Sequence, residues 1–143
     1  LFRSPKQKKL VAYLNNIATS LVKFQDPSGI WYQVTDEGGA PGNYLESSGT
    51  SMFAYAMAKG ANKGYLPKKF KTIAAKAFDG LTSKLIKVDP NGAITITNAC
   101  AVAGLGGTPY RDGSYEYYIN ERKKDNDPKA TGPFILAALE LNK

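Results

Sequence analysis

After Ser4-Pro5, a cap and first-turn pair, apolar residues recur at helical spacing as Leu10, Leu14, Ile17, Leu21 and Phe24, so the chain opens on an amphipathic helix of about five turns. Asp26-Pro27-Ser28-Gly29 ends it as a turn, and residues 30–34, Ile-Trp-Tyr-Gln-Val, have the composition of a strand. A glycine-rich loop, 38–42, leads to a stretch of another kind. Residues 52–58 are apolar or aromatic on every side, which predicts a helix buried all round, with Glu46, Ser47 and Ser48 supplying its first-turn acid and cap hydroxyls. That helix ends near 60–64. Pro67 then opens a second amphipathic helix, with Phe70, Ile73, Ala74, Ala77, Phe78, Leu81 and Leu85 as its inner stripe.

The same order follows a second time. Asp89-Pro90-Asn91-Gly92 repeats the earlier turn 63 residues on, residues 93–97 again read as a short strand, and a long glycine-rich connection leads to a last apolar helix over 134–139. Pairs of an outer amphipathic and an inner apolar helix are the unit of helical solenoids and toroids. The expected fold is therefore all-α, with short β segments confined to the loops between outer and inner helices. Both long connections, 26–48 and 89–131, would lie at one end of the body over the N-termini of inner helices, where exposed N–H groups and the helix dipole favour an anion. A site is expected at that end.

Composition narrows the chemistry. At 143 residues, 43% hydrophobic and 22% charged, the chain suits one domain with a sizeable core. One cysteine, Cys100, and no histidine exclude a disulfide framework and the commonest metal and base chemistry, leaving carboxylates, tyrosines, arginines and hydroxyls. The net charge of +7 raises nucleic-acid binding as a possibility. The lysines point the other way: Lys6, Lys8, Lys9 and Lys23 on one helix, and Lys68, Lys69, Lys71, Lys76, Lys84 and Lys87 around another, interleave with apolar stripes as on a solvated outer face. No apolar run has membrane-spanning length, and the opening Leu1-Phe2-Arg3-Ser4-Pro5 lacks both the order of a signal peptide and a methionine, which reads as a processed product or a piece of a longer polypeptide. Neither nucleic acid nor membrane is an expected partner.

Several stretches together resemble a known family. Gly29-Ile30-Trp31-Tyr32-Gln33-Val34, Gly42-Asn43-Tyr44-Leu45-Glu46-Ser47-Ser48 with Phe53-Ala54-Tyr55, and Lys63-Gly64-Tyr65-Leu66 are similar to the unsaturated rhamnogalacturonyl hydrolases, glycoside hydrolase family 105. Ala103-Gly104-Leu105-Gly106-Gly107, residues 110–118 (Tyr-Arg-Asp-Gly-Ser-Tyr-Glu-Tyr-Tyr), and Asn126-Asp127-Pro128-Lys129 before Gly132-Pro133-Phe134 continue the resemblance in the family's order. The resemblance implies an (α/α)6 toroid of which residues 1–143 are the C-terminal portion, about two of six hairpins. It implies a bacterial enzyme of cytoplasm or periplasm, working without a cofactor on pectin oligosaccharides that end in an unsaturated uronate. In the family an aspartate protonates the double bond and activates water, and the hydrated product collapses to release rhamnose. The segment bearing that aspartate and the Trp-x-Arg-Gly-Asn-Gly-Trp segment have no counterpart here. No catalytic residue is therefore expected in this chain, and the two-carboxylate scheme is not imposed on Glu46 and Asp112.

What the resemblance leaves to this chain is support for the substrate. Arg111 would pair with a uronate carboxylate, Asp112 and Ser114 would bond sugar hydroxyls, Tyr115 or Trp31 would stack on a sugar face, and Tyr44, Glu46 and Ser48 would add contacts beside them. Local alternatives stand beside these roles: an Arg111–Asp112 ion pair, Trp31 in the core, Ser47 and Ser48 as caps. A non-catalytic helical sugar-binding or interaction module of toroid ancestry is the other class of function. The apolar inner helices must be covered, and the expected cover is the missing N-terminal part of the same protein or a partner copy, meeting Met52, Phe53, Tyr55, Met57, Phe134 and Leu136; closure of the hairpins into a four-helix body is the alternative.

Overall fold

The computed structural model describes residues 4–143, so the reading of Leu1-Phe2-Arg3 lies outside the described residues. The Ser4 hydroxyl accepts the Gln7 N–H and Pro5 fills the first position, starting helix α1 (Pro5–Val22) as cap chemistry requires. Its expected inner stripe is only half right. Leu14, Ala18, Leu21 and Val22 meet the core, whereas Leu10 and Ile17 are 65% and 58% exposed beside Tyr13 and Phe24. Two adjacent faces of α1 are apolar, and the described helices cover one.

The first long connection carries β1 (Trp31–Tyr32) and β2 (Leu45–Glu46), paired antiparallel with Trp31 opposite Glu46. It delivers the chain into α2 (Ser47–Asn62), which packs against α3 (Lys69–Lys84) on one side and α5 (Pro128–Leu141) on the other. Small residues make this close: Ala54, Ala58, Ala74, Ala77 and Ala137 are buried around Met57 and Phe70. The expectation that α2 is buried all round fails on one face. Met52, Ala56 and Lys59, spaced i, i+4, i+7, are exposed. Of the six side chains expected to need cover, Met57 is buried within the chain, Phe53, Tyr55 and Phe134 are half-buried, and Met52 and Leu136 are exposed, as are Ile135 and Leu139 next to them.

Helix α3 stops at Lys84, short of the expected end at Asp89, because Ile86-Lys87-Val88 alternates in the manner of a strand and forms β3 (Ile86–Val88), paired antiparallel with β4 (Ile94–Ile96). The turn between them is the second Asp-Pro-x-Gly. Asp89 Oδ1 accepts the Asn91 and Ala93 N–H groups and Gly92 takes φ +82°, while in the first such turn Asp26 Oδ1 accepts the Ser28 N–H and Gly29 takes φ +93°. The sequence repeat is thus a repeat of turn chemistry. Beyond it lie β5 (Ala99–Cys100), a short helix α4 (Tyr115–Asn120) capped by Ser114, and β6 (Lys123–Lys124), which pairs with β5. Helix α5 begins at Pro128, well before the expected start at 134, since Asp127 caps it and proline suits its first turn. Stacked rings of Phe78 and Phe134, 4.6 Å between centroids, tie α5 to α3.

Candidate functional site

Helix α2 starts with a carboxylate rather than a hydroxyl as its cap. Glu46 Oε1 accepts from the Ser48 N–H (3.0 Å), the Ser48 hydroxyl (2.6 Å) and the Cys100 N–H (2.9 Å), and Oε2 accepts from the Gly49 N–H (2.6 Å). The side chain is buried, so the anion that the helix N-terminus favours is one the chain itself provides. Because Cys100 lies on the second long connection, the same carboxylate pins that loop against the first. The Ser47 N–H adds a bond to the Asn98 carbonyl.

Between the two loops, over this cap, opens a cleft of about 440 Å³. Trp31, Gln33, Thr35, Glu46, Ser48 and Thr50 give it a polar floor, Met52, Phe53, Val102 and Ala103 apolar walls, and Lys129 a cationic side. Trp31 is 1% exposed; its indole N–H donates to the Leu21 carbonyl, and its ring meets Phe53 edge-on at 5.3 Å, so it is a floor residue locked into the core. Cys100 is also in the floor. Its Sγ accepts from Gln33 Nε2 at 3.2 Å, and burial pushes the thiol pKa up, which keeps it protonated and a poor nucleophile.

The other expected site residues lie elsewhere. Tyr44 is buried outside the cleft lining, with the Lys123 ammonium 4.3 Å from its ring centroid. Tyr115 lines a second recess of about 410 Å³ with Val34, Asp36 and Tyr118, and its hydroxyl donates to the Pro41 carbonyl. Asp112 Oδ1 accepts the Ser114 N–H, and the Ser114 hydroxyl caps α4 by accepting the Tyr117 N–H. Arg111 Nε donates to the Gly106 carbonyl, with its guanidinium against Gly104 and Gly107, where any Cβ would collide with it. Among the described residues the Arg111–Asp112 ion pair is absent. The cleft therefore gathers Trp31, Glu46 and Ser48, and the 110–118 loop stands apart from it.

Lys129 was not singled out from the sequence, although the Asp127-Pro128-Lys129 start of α5 places it. Its Nζ donates to the Ala101 carbonyl and to Asp127 Oδ1, each at 2.8 Å. Hydrogen bonds from the Lys129 side chain and N–H hold the Asp127 pKa at about 2, below the ordinary 3.8. A depressed carboxylate pKa contributes stability above the ordinary value and loses it as pH falls through the folded value. We expect stability to decline between pH 3.8 and about 2, and Asp127→Asn to flatten that decline in urea midpoints measured across the range. The remaining slope belongs to the other carboxylates held below their ordinary values: Glu140 by Lys143 and Asn62, Asp112 by Ser114, and Asp26, where burial is outweighed by the Ser28 hydrogen bonds. An unchanged slope in the variant would show that the Asp127 pairing contributes nothing.

Helix α2 packed between α3 and α5, with the two long loops meeting in a cleft over its N-terminus, is the arrangement of stacked helical hairpins. The model of Glycosyl Hydrolase Family 88 matches residues 3–143, and the chain belongs to that family. A solved family 105 glycoside hydrolase of C. acetobutylicum ATCC 824 is 47% identical with TM-score 0.92, over 96% of this chain and 39% of that one. A possible family 105 member from Salmonella enterica serovar Paratyphi A is 26% identical with TM-score 0.79, over 98% of this chain and 33% of its own. The resemblance to family 105 and the toroid expectation are upheld by these structures. Protein Atu3128 of Agrobacterium fabrum and the 24.9 kDa protein in picA locus of Rhizobium radiobacter are each 35% identical over 130 residues, 87% of this chain. The chain spans 56% of the length of those two relatives.

Proposed function

We propose that the chain forms one wall of the substrate cleft in an unsaturated rhamnogalacturonyl hydrolase acting on pectin fragments, and that the proton-transferring aspartate comes from the remainder of the toroid. The observation that carries this is the state of Glu46. Among the described residues it is the one acid lining the cleft, and its hydrogen bonds from Ser48, Gly49 and Cys100 commit it to capping α2 and joining the two loops rather than to proton transfer. Family membership supports glycosidic chemistry in the assembled protein. The exposed Met52, Ile135, Leu136 and Leu139 favour an assembled toroid over a self-contained binding module, since such a face is covered in a stable protein. The remaining hairpins are the proposed cover.

On unsaturated rhamnogalacturonan disaccharide, followed by loss of the double bond's ultraviolet absorbance, the isolated chain is expected to show turnover at least about 10² below that of the assembled protein, because positioned proton transfer is missing. Turnover by the isolated chain at the assembled protein's rate would refute the division of labour. An assembled protein that leaves the disaccharide intact would refute the substrate.

A further inference from the structure

Lys129 is the one cation among the described residues that line the cleft. Its ammonium is fixed by two acceptors, the Ala101 carbonyl and Asp127 Oδ1, and an ammonium has three donors, so one N–H is left for a further acceptor. The Lys129 side chain lines the cleft and is 46% exposed, whereas that of Asp127 is 5% exposed. Asp127 does not cancel the charge outright. Its carboxylate is shared with Lys124 at 3.6 Å and with the Lys129 backbone N–H of its own helix turn. The other charge of the cleft, on Glu46, is enclosed by its four donors. The neighbouring walls, Met52, Phe53, Val102 and Ala103, are apolar, which strengthens a charge interaction made between them.

We propose that Lys129 is the specificity-determining residue that selects an anionic sugar in this cleft, its third N–H received by a carboxylate oxygen of a bound uronate. This rests on the reading above that the cleft binds an oligosaccharide. A charge-assisted hydrogen bond of this kind favours the uronate over its uncharged counterpart by about tenfold or more.

The test uses the assembled protein, with titration calorimetry of the saturated galacturonate–rhamnose disaccharide and of its carboxyl-reduced, neutral counterpart. The wild-type protein is expected to bind the anionic disaccharide about tenfold tighter. Lys129→Met is expected to abolish that preference by weakening the anionic disaccharide about tenfold more than the neutral one, and Lys129→Arg to keep most of it. Equal weakening of both ligands by Lys129→Met would show that the residue only holds the Ala101 loop, and no weakening of either would show that it does not touch the sugar; both results overturn the proposal. Turnover of the unsaturated disaccharide, recorded in parallel, separates the two readings. Turnover without an anion preference overturns only the role of Lys129, and loss of both turnover and binding overturns the glycan reading with it.

Discussion

Glu46→Ala is expected to lower stability by about 3 kcal/mol, a larger loss than a helix cap alone explains. Removing a cap side chain typically costs about 1 kcal/mol. Here the deletion also strips the acceptor from the Cys100 N–H, which comes from a loop 54 residues away in sequence, and leaves three backbone donors and the Ser48 hydroxyl without their partner. Each buried donor left unmet costs about 1 to 3 kcal/mol, reduced where water from the cleft reaches it. Glu46→Gln separates charge from shape. Oε1 and Oε2 both accept from backbone N–H groups, so either orientation of the amide sets an NH₂ against a donor. The Gln variant should therefore recover only part of the loss. Urea denaturation of the three proteins checks this, and an Ala variant within about 0.5 kcal/mol of wild type would show that the carboxylate is not what joins the two loops.

The contrast between what sequence reading supplied and what it missed follows from the range of the interactions. Ser4-Pro5 at the start of α1 and the two Asp-Pro-x-Gly turns are local chemistry, with donors and acceptors within four residues, and they were legible. The alternation of outer and inner helices was legible for the same reason. Glu46 was recognised as first-turn chemistry, but its bond to Cys100 depends on how two distant loops meet, and no spacing encodes that. Composition placed β1 within residues 30–34, but β2 and β6 have two residues each, too short for alternation to register, and their partners lie across loops. Helix α4 is one turn and a half of tyrosine-rich sequence, whose signal is the Ser114 cap rather than any periodicity. For α1, periodicity found an apolar side but could not choose between two neighbouring ones. Arg111 drew attention through the family resemblance, as a partner for a uronate carboxylate; the clue to its actual setting was Gly104 and Gly107, which leave space for a guanidinium.

Gly80→Ala should be the most damaging small substitution in α3, with a stability loss of about 3 kcal/mol at a position where propensity alone predicts a gain. Alanine is favoured over glycine inside a helix by about 1 kcal/mol. At Gly80 an added methyl would be driven into the Ser28 carbonyl oxygen, with Ile30 Cγ1 at 3.0 Å, and neither can retreat easily. Ser28 sits in the turn held by Asp26, and the next residue, Gly29, approaches the Lys76 carbonyl one helical turn away from Gly80 so closely that it too has no room for a side chain. Turn and helix thus touch backbone to backbone over two successive contacts. The second Asp-Pro-x-Gly turn has no such neighbour, since a methyl on Gly92 would meet nothing within 4 Å. Overpacking therefore outweighs propensity at Gly80, and the displaced turn carries Ile30 and Trp31 with it, which disturbs the floor of the cleft. Chemical denaturation of the variant decides the matter. If Gly80→Ala gains the roughly 1 kcal/mol that helix propensity predicts, the turn yields to the methyl and the backbone contact does not fix the cleft floor.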